Sequence, residues 1–140
     1  MKINLTKYLF FLSIFFILTI FFLALNINPR YDTRDLVGKK IDNFQYENFN
    51  KNGEILTNKI LKNKNYLINF WASWCAPCRL EHKFLVDIKN KSNLYIVGIN
   101  YKDNKDNAQN FLNELGNPYD LIGLDKDGVE SVKFGIYGIP

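Results

Sequence analysis

The 140-residue sequence predicts an α/β domain carried behind one membrane-length helix. Three observations carry that expectation. Residues 8–25 run for eighteen positions without a charge. A strand-like run, a helical pattern and a second strand-like run follow one another between Tyr66 and Ile99. The chain's two cysteines, Cys75 and Cys78, lie where the first of those strands meets the helix. At 47% hydrophobic and 23% charged residues, the composition excludes a disordered tail or a collagen-like repeat, and the length allows about one domain. Net charge is +4, but Lys2 and Lys7 precede the apolar stretch, leaving 16 of the 18 basic residues against 14 acidic ones. That balance is dispersed and not interleaved with aromatics, so nucleic acid is not an expected partner.

The elements follow in order. Tyr8 to Leu25 reads YLFFLSIFFILTIFFLAL and holds six of the twelve Phe. As a helix, eighteen residues span about 27 Å, close to the hydrocarbon core of a bilayer. A cleaved signal peptide is the competing reading, but cleavage after Ala24 would put Phe22 where a small residue is wanted. Residues 1–7 are then expected in the cytoplasm, residues 8–25 as the anchor, 26–35 as a linker containing Pro29, and 36–140 as the folded domain beyond the membrane. Outside the cytoplasm, disulfides persist.

Within the domain, a strand-like run between Gly38 and Phe49, the turn signal Lys51-Asn52-Gly53-Glu54 and Ile55 to Thr57 predict an N-terminal hairpin. Tyr66 to Trp71 has the length and β-formers of a buried strand. The helix after Cys75 carries Pro77 in its first turn, where a missing N–H does no harm, and its apolar face is expected to be Leu80, Phe84, Leu85 and Ile88. Leu94 to Ile99 closes a βαβ unit, so its two strands are expected parallel with a right-handed crossover. A short amphipathic helix over Asn107 to Leu115 stops at Gly116 and Pro118, a strand follows over Tyr119 to Leu124, and Val129 to Phe134 predicts a helical turn.

The chemistry is read from Cys75-Ala76-Pro77-Cys78. Thiol–disulfide exchange needs a thiolate, and an ordinary Cys is mostly protonated at neutral pH. Unpaired N–H groups and the dipole at a helix N-terminus favour the anion. Cys75 is therefore the expected nucleophile, exposed at the helix tip, and Cys78, one turn on, the more buried resolving thiol. One other reading stays open and another fails. A zinc or copper site needs further ligands, for which His82 is the remaining soft candidate. A c-type haem attachment needs His directly after the second Cys, where Arg79 stands. As an exposed helix residue, His82 is expected to be merely solvated. Trp74 is expected at a substrate-facing rim and Trp71 in the core, while Tyr101 and Tyr137 are candidates for groove or core packing.

The string Asn69-Phe-Trp-Ala-Ser-Trp-Cys-Ala-Pro-Cys-Arg79 resembles the thioredoxin superfamily, and Gly138-Ile139-Pro140 resembles that family's cis-Pro loop. Arg79-Leu80-Glu81-His82, Gly98-Ile-Asn-Tyr-Lys-Asp103, Leu115-Gly-Asn-Pro-Tyr119, Asp125-Lys-Asp-Gly128 and Phe134-Gly-Ile-Tyr-Gly-Ile-Pro140 are similar to the CcmG/DsbE branch, membrane-anchored reductants of cytochrome c maturation. The resemblance implies a thioredoxin-like βαβ core and a single-pass inner-membrane protein whose domain faces the periplasm. It implies Cys75 as nucleophile, Cys78 as resolving thiol, and Trp74, Pro77 and Pro140 at the substrate side. No cofactor or metal is expected, since two sulfurs carry the chemistry. The implied partners are apocytochrome c, or a maturation factor acting on its haem-site cysteines, and a membrane electron donor of the DsbD/CcdA type.

The sequence also departs from the pattern. Asn69 stands where ordinary thioredoxins place a buried Asp, and Glu81, three residues after Cys78, is a candidate for thiol protonation. Phe134 stands where the branch often has Trp. The two strands, final helix and acidic residue that the resemblance implies after Pro140 are not in the sequence, so this chain alone is expected to be poorly stable against a version extended through them. A general thiol oxidoreductase of TlpA or peroxiredoxin type is the nearest alternative. A peroxidatic site would have Thr three residues before its Cys, where Ala72 stands.

Overall fold

The computed structural model describes residues 5–26, 37–41, 43–62 and 65–140. It divides into two units, the N-terminal helix and the domain that follows. Helix α1 (Leu5–Asn26) extends the expected 8–25 span by three residues at its start and one at its end. It is apolar on every side, as a bilayer-crossing helix must be. Its two hydroxyls are satisfied internally: Ser13 Oγ donates to the Phe10 carbonyl and Thr19 Oγ1 to the Phe15 carbonyl, each at 2.8 Å. Neither would cost an unpaired donor in hydrocarbon. The predicted linker, apart from Asn26, and the first four residues of the predicted cytoplasmic end lie outside the described residues.

In the domain, β1 (Gln45–Asn48) and β2 (Ile55–Thr57) form the expected hairpin. Strand β3 (Tyr66–Trp71), helix α2 (Ala76–Lys91) and strand β4 (Tyr95–Tyr101) form the βαβ unit, and β3 and β4 pair in parallel from Tyr66↔Tyr95 to Trp71↔Asn100. Helix α3 (Lys105–Leu115) then returns the chain to β5 (Leu121–Asp125), parallel to β4, and a single turn, α4 (Val129–Val132), follows. The sheet order is β2-β1-β5-β4-β3. Pairing of the hairpin to β5, antiparallel through Glu47↔Leu124, is the one join that local pattern could not foretell.

Alternation along the central strands sorts side chains into two cores. Ile96 on β4, Trp71 on β3 and Ile122 and Leu124 on β5 face α2 and α3, where Ala108, Phe111 and Leu112 meet them. Val97 and Ile99 on β4, with Ile68 and Phe70 on β3, face the other way, toward Phe44, Tyr46, Leu56, Leu61 and Phe134. Full burial of each large apolar side chain contributes about 1.5–3 kcal/mol.

One expectation about α2 is corrected. Leu80 and Phe84 are 72% and 59% exposed and Ile88 is also exposed; the inward face carries Cys78, His82 and Leu85. The strand-to-helix turn decides the rotation. Cys75 is the N-cap and its disulfide partner must sit against the core, so residues four and seven positions after Cys78 face inward. The apolar spacing of Leu80, Phe84 and Ile88 marks the outer side instead.

Candidate functional site

The site begins with helix capping. Cys75 occupies the N-cap position in extended conformation, and its Sγ accepts a hydrogen bond from the Cys78 backbone N–H at 3.2 Å. A residue type that rarely caps helices therefore fills the role of Ser or Asp, with sulfur at the pole where donors are unpaired. Pro77 lies in the first turn, as its lack of an N–H permits. The two sulfurs are bonded across a Cα–Cα separation of 5.3 Å.

The exposure expected for the pair is corrected. Cys75 is 3% and Cys78 6% exposed, so the first cysteine is no more open than the second. The cause is packing: both belong to the core under α2, and Ile139 lies against that core from the loop ending at Pro140. The Ile139–Pro140 peptide is cis, as the resemblance implied. Pro140 is itself exposed.

Trp74 stands at the rim, 57% exposed, its indole N–H donating to the Lys102 carbonyl at 3.0 Å. Trp71 is fully buried, stacked on Tyr119 at 5.4 Å between ring centroids and tilted against Phe111 at 5.1 Å. Gly98 leaves room for that stack, since a Cβ there would sit 2.8 Å from Trp71 Nε1 and from the Tyr119 ring. The Tyr119 hydroxyl donates to Asn69 Oδ1 at 2.8 Å, so the residue standing in place of the usual acid is tied to a tyrosine. Burial pushes that phenol far above its ordinary value, so it remains a neutral donor.

Glu81 and His82 follow Cys78 by one turn, and the structure separates them. Glu81 is exposed. His82, expected to be solvated, is instead 2% exposed and packed edge-on against Phe111 at 4.9 Å. Its Nε2 lies 2.8 Å from the Gly116 carbonyl, which can only accept, so Nε2 carries the proton. Burial holds the imidazole below its ordinary value of 6.5, against the raising effect of that carbonyl and with a smaller lowering effect of Arg79. Arg79 is itself turned aside to Glu114 at 2.8 Å.

Sequence reasoning passed over Asp103. Its carboxylate accepts from the Ser73 backbone N–H at 2.6 Å, the Ser73 hydroxyl at 2.7 Å, Asn100 Nδ2 at 2.9 Å and its neighbour Asn104 N–H at 2.8 Å. A loop acid thirty residues from its main partner leaves no periodic signal; the available clues were its place at the end of the Gly98–Asp103 motif and at the C-terminal end of a parallel strand.

A mixed sheet whose first βα turn presents a C-x-x-C pair at a helix N-terminus, with the loop of Ile139 and cis Pro140 packed against the same core, defines a thioredoxin-like protein. The chain matches the Redoxin family over residues 36–138. It is 52% identical over 85 residues to the thiol:disulfide interchange protein CycY of Rhizobium leguminosarum bv. viciae, covering 61% of this chain and 46% of that one. It is 44% identical over 106 residues to the thiol:disulfide interchange protein DsbE of Tatumella citrea, covering 75% and 57%. Against the crystal structure of a putative DsbE from Chlorobium tepidum it aligns with a TM-score of 0.62 at 21% identity, over 73% of this chain and 72% of that one. The chain belongs to the Redoxin family and, within the thioredoxin superfamily, to its CcmG/DsbE type. It spans about half the length of the curated relatives it matches.

Proposed function

We propose that this chain is a membrane-anchored thiol:disulfide oxidoreductase, with α1 as its single inner-membrane span and its domain in the periplasm. Its task on this reading is to reduce disulfides during cytochrome c maturation, in the haem-site cysteines of apocytochrome c or in a maturation partner. A membrane electron donor of DsbD/CcdA type would then restore its own dithiol. The observation that carries the reading is the capping sulfur. A group that accepts a helix N-terminal N–H is the one whose anion that terminus stabilises, by about 0.3–2 kcal/mol.

In the reduced protein, Cys75 Sγ as thiolate attacks one sulfur of the substrate disulfide. A new S–S bond joins it to the substrate, and the displaced sulfur leaves as a thiolate that takes up a proton. Cys78 then gives up its proton and attacks Cys75 Sγ. The mixed disulfide breaks, the second substrate sulfur leaves, and two electrons have moved from the pair to the substrate. Trp74, Pro77 and Pro140 form the substrate side of this step, and Glu81 is the solvent-side group for the Cys78 proton. Support comes from the paired sulfurs, the cis-proline loop and the likeness to CycY and DsbE. A metal-binding reading would need further ligands beside the two sulfurs, and no group of three or more His, Cys, Asp and Glu able to hold an ion occurs among the described residues.

The test is the reduction potential of the Cys75–Cys78 couple in a defined thiol buffer. A value near the thioredoxin end, about −270 mV, is expected for an electron donor; one near −120 mV would reverse the direction and overturn the maturation role.

A further inference from the structure

The turn after β4 touches both walls of the site. On one side, Asp103 holds Ser73 by backbone and hydroxyl, and the Lys102 carbonyl holds the Trp74 indole, so three hydrogen bonds to one turn fix the loop that leads into Cys75. On the other side, the buried Tyr101 hydroxyl donates to the Tyr137 carbonyl at 3.4 Å, within the loop that ends at Pro140. The turn itself is held in place. Lys102 is the one non-glycine residue with positive φ (47°) among the described residues, a conformation kept only where surroundings impose it. Its N–H donates to the Asp125 carbonyl at 2.9 Å while its carbonyl is turned out to Trp74. Asp103 spends every acceptor position of its carboxylate, with Asn100 Nδ2 bracing it from within the strand. The two loops each present an exposed aromatic side chain, Trp74 at 57% and Tyr137 at 58%.

We propose that Tyr101-Lys102-Asp103 is a bracket that sets the relative position of the two loops and makes Trp74 and Tyr137 the aromatic walls of a groove selective for polypeptide disulfides, with Asp103 as its positioning residue. This rests on the oxidoreductase reading above. Small disulfides need only reach sulfur, so they are indifferent to the walls. A polypeptide must lie between them, so its productive binding depends on their spacing. The acid does not touch substrate; it acts through Ser73 and Trp74.

The experiment compares wild type with Asp103→Ala and Asp103→Asn, using the full chain in detergent and two substrates, hydroxyethyl disulfide and an oxidised decapeptide with one internal disulfide. Asp103→Ala is expected to lower kcat/KM for the peptide by about 10- to 100-fold, chiefly through KM, and for the small disulfide by about threefold or less. Asp103→Asn, which keeps one acceptor oxygen, recovers part of the peptide rate. Hydrogen exchange at the Trp74 indole N–H is expected to accelerate in Asp103→Ala, with Trp71 distinguished by Trp→Phe assignment. Equal losses on both substrates would reduce Asp103 to a general structural role and overturn the bracket, as would no loss on either. A wild-type chain that reduces neither substrate overturns the oxidoreductase reading, and the selectivity falls with it.

Discussion

The sheet separates two cores built to different rules. On the hairpin side, Phe44, Tyr46, Leu56, Val97 and Ile99 pack with Phe70 and Phe134 in tilted ring contacts, with the Tyr46 hydroxyl as the buried polar group among them. On the side of α2 and α3, rings are stacked, tilted and then set edge-on in a continuous series from Tyr119 through Trp71 and Phe111 to His82, in the same core as the two sulfurs. That side also holds polar groups an apolar core would avoid: the His82 imidazole, the Asn69–Tyr119 pair and a Trp71 indole N–H with no partner among the described residues. Packing alone would have favoured aliphatic side chains at these places. The difference implies that changes on the hairpin side alter stability alone, whereas changes on the site side alter stability and chemistry together.

The largest expected effect comes from removing the ring that joins the stack. Phe111→Ala takes away a fully buried side chain touching Trp71 and His82, and about 3–5 kcal/mol of stability should go with it. Phe134→Ala, on the half-buried edge of the other core, should cost about 2 kcal/mol. Denaturant melts give both numbers. The comparison breaks if Phe134→Ala lowers disulfide-reductase activity per folded molecule as far as Phe111→Ala does.

Two glycines make a closer pair. Gly98 faces the site-side stack and Gly123 the opposite core, where a Cβ would meet Tyr46 Cβ at 2.7 Å and Ile99 Cδ1 at 3.2 Å. Neither has a positive φ, so each alanine acts by overpacking alone, at about 1–3 kcal/mol. Similar melting shifts are expected from Gly98→Ala and Gly123→Ala. The reduction potential of the cysteine pair should move only in Gly98→Ala, because only there do Trp71 and Tyr119 shift. A displaced potential in Gly123→Ala would show the two cores to be coupled through the sheet.

Much of this arrangement was legible in the sequence, for physical reasons that also mark where legibility stopped. The βαβ unit, the hairpin and the apolar face of α3 (Ala108, Phe111, Leu112) follow from periodicity and turn chemistry, which are local. The Cys pair followed from its place at a strand-to-helix junction. The rotation of α2 did not, because two apolar patterns compete on that helix. Leu80, Phe84 and Ile88 recur at helical spacing, yet the capping geometry of Cys75 turns Cys78 and His82 inward. Asp103 and the Lys102 carbonyl were invisible for a different reason. Their partners, Ser73 and Trp74, lie about thirty residues away and meet them only because β3 and β4 run parallel and end together.

The smallest effect concerns the histidine that the helix turned inward. Burial depresses its folded-state pKa below the ordinary 6.5, so in the unfolded chain His82 protonates first as the pH falls. Acid therefore favours the unfolded state: this group's contribution to stability is fully present above about pH 6.5 and is lost as pH falls from that value toward the depressed folded-state pKa, with a slope of at most about 1.4 kcal/mol per pH unit. His82→Gln keeps a donor for the Gly116 carbonyl but cannot titrate. Melting temperatures measured from pH 7.5 to 5 should fall less steeply in the variant than in wild type. Since the hairpin-side core contains no histidine, parallel curves would mean that acid sensitivity arises elsewhere and that the buried imidazole gains its proton without opening the site-side core.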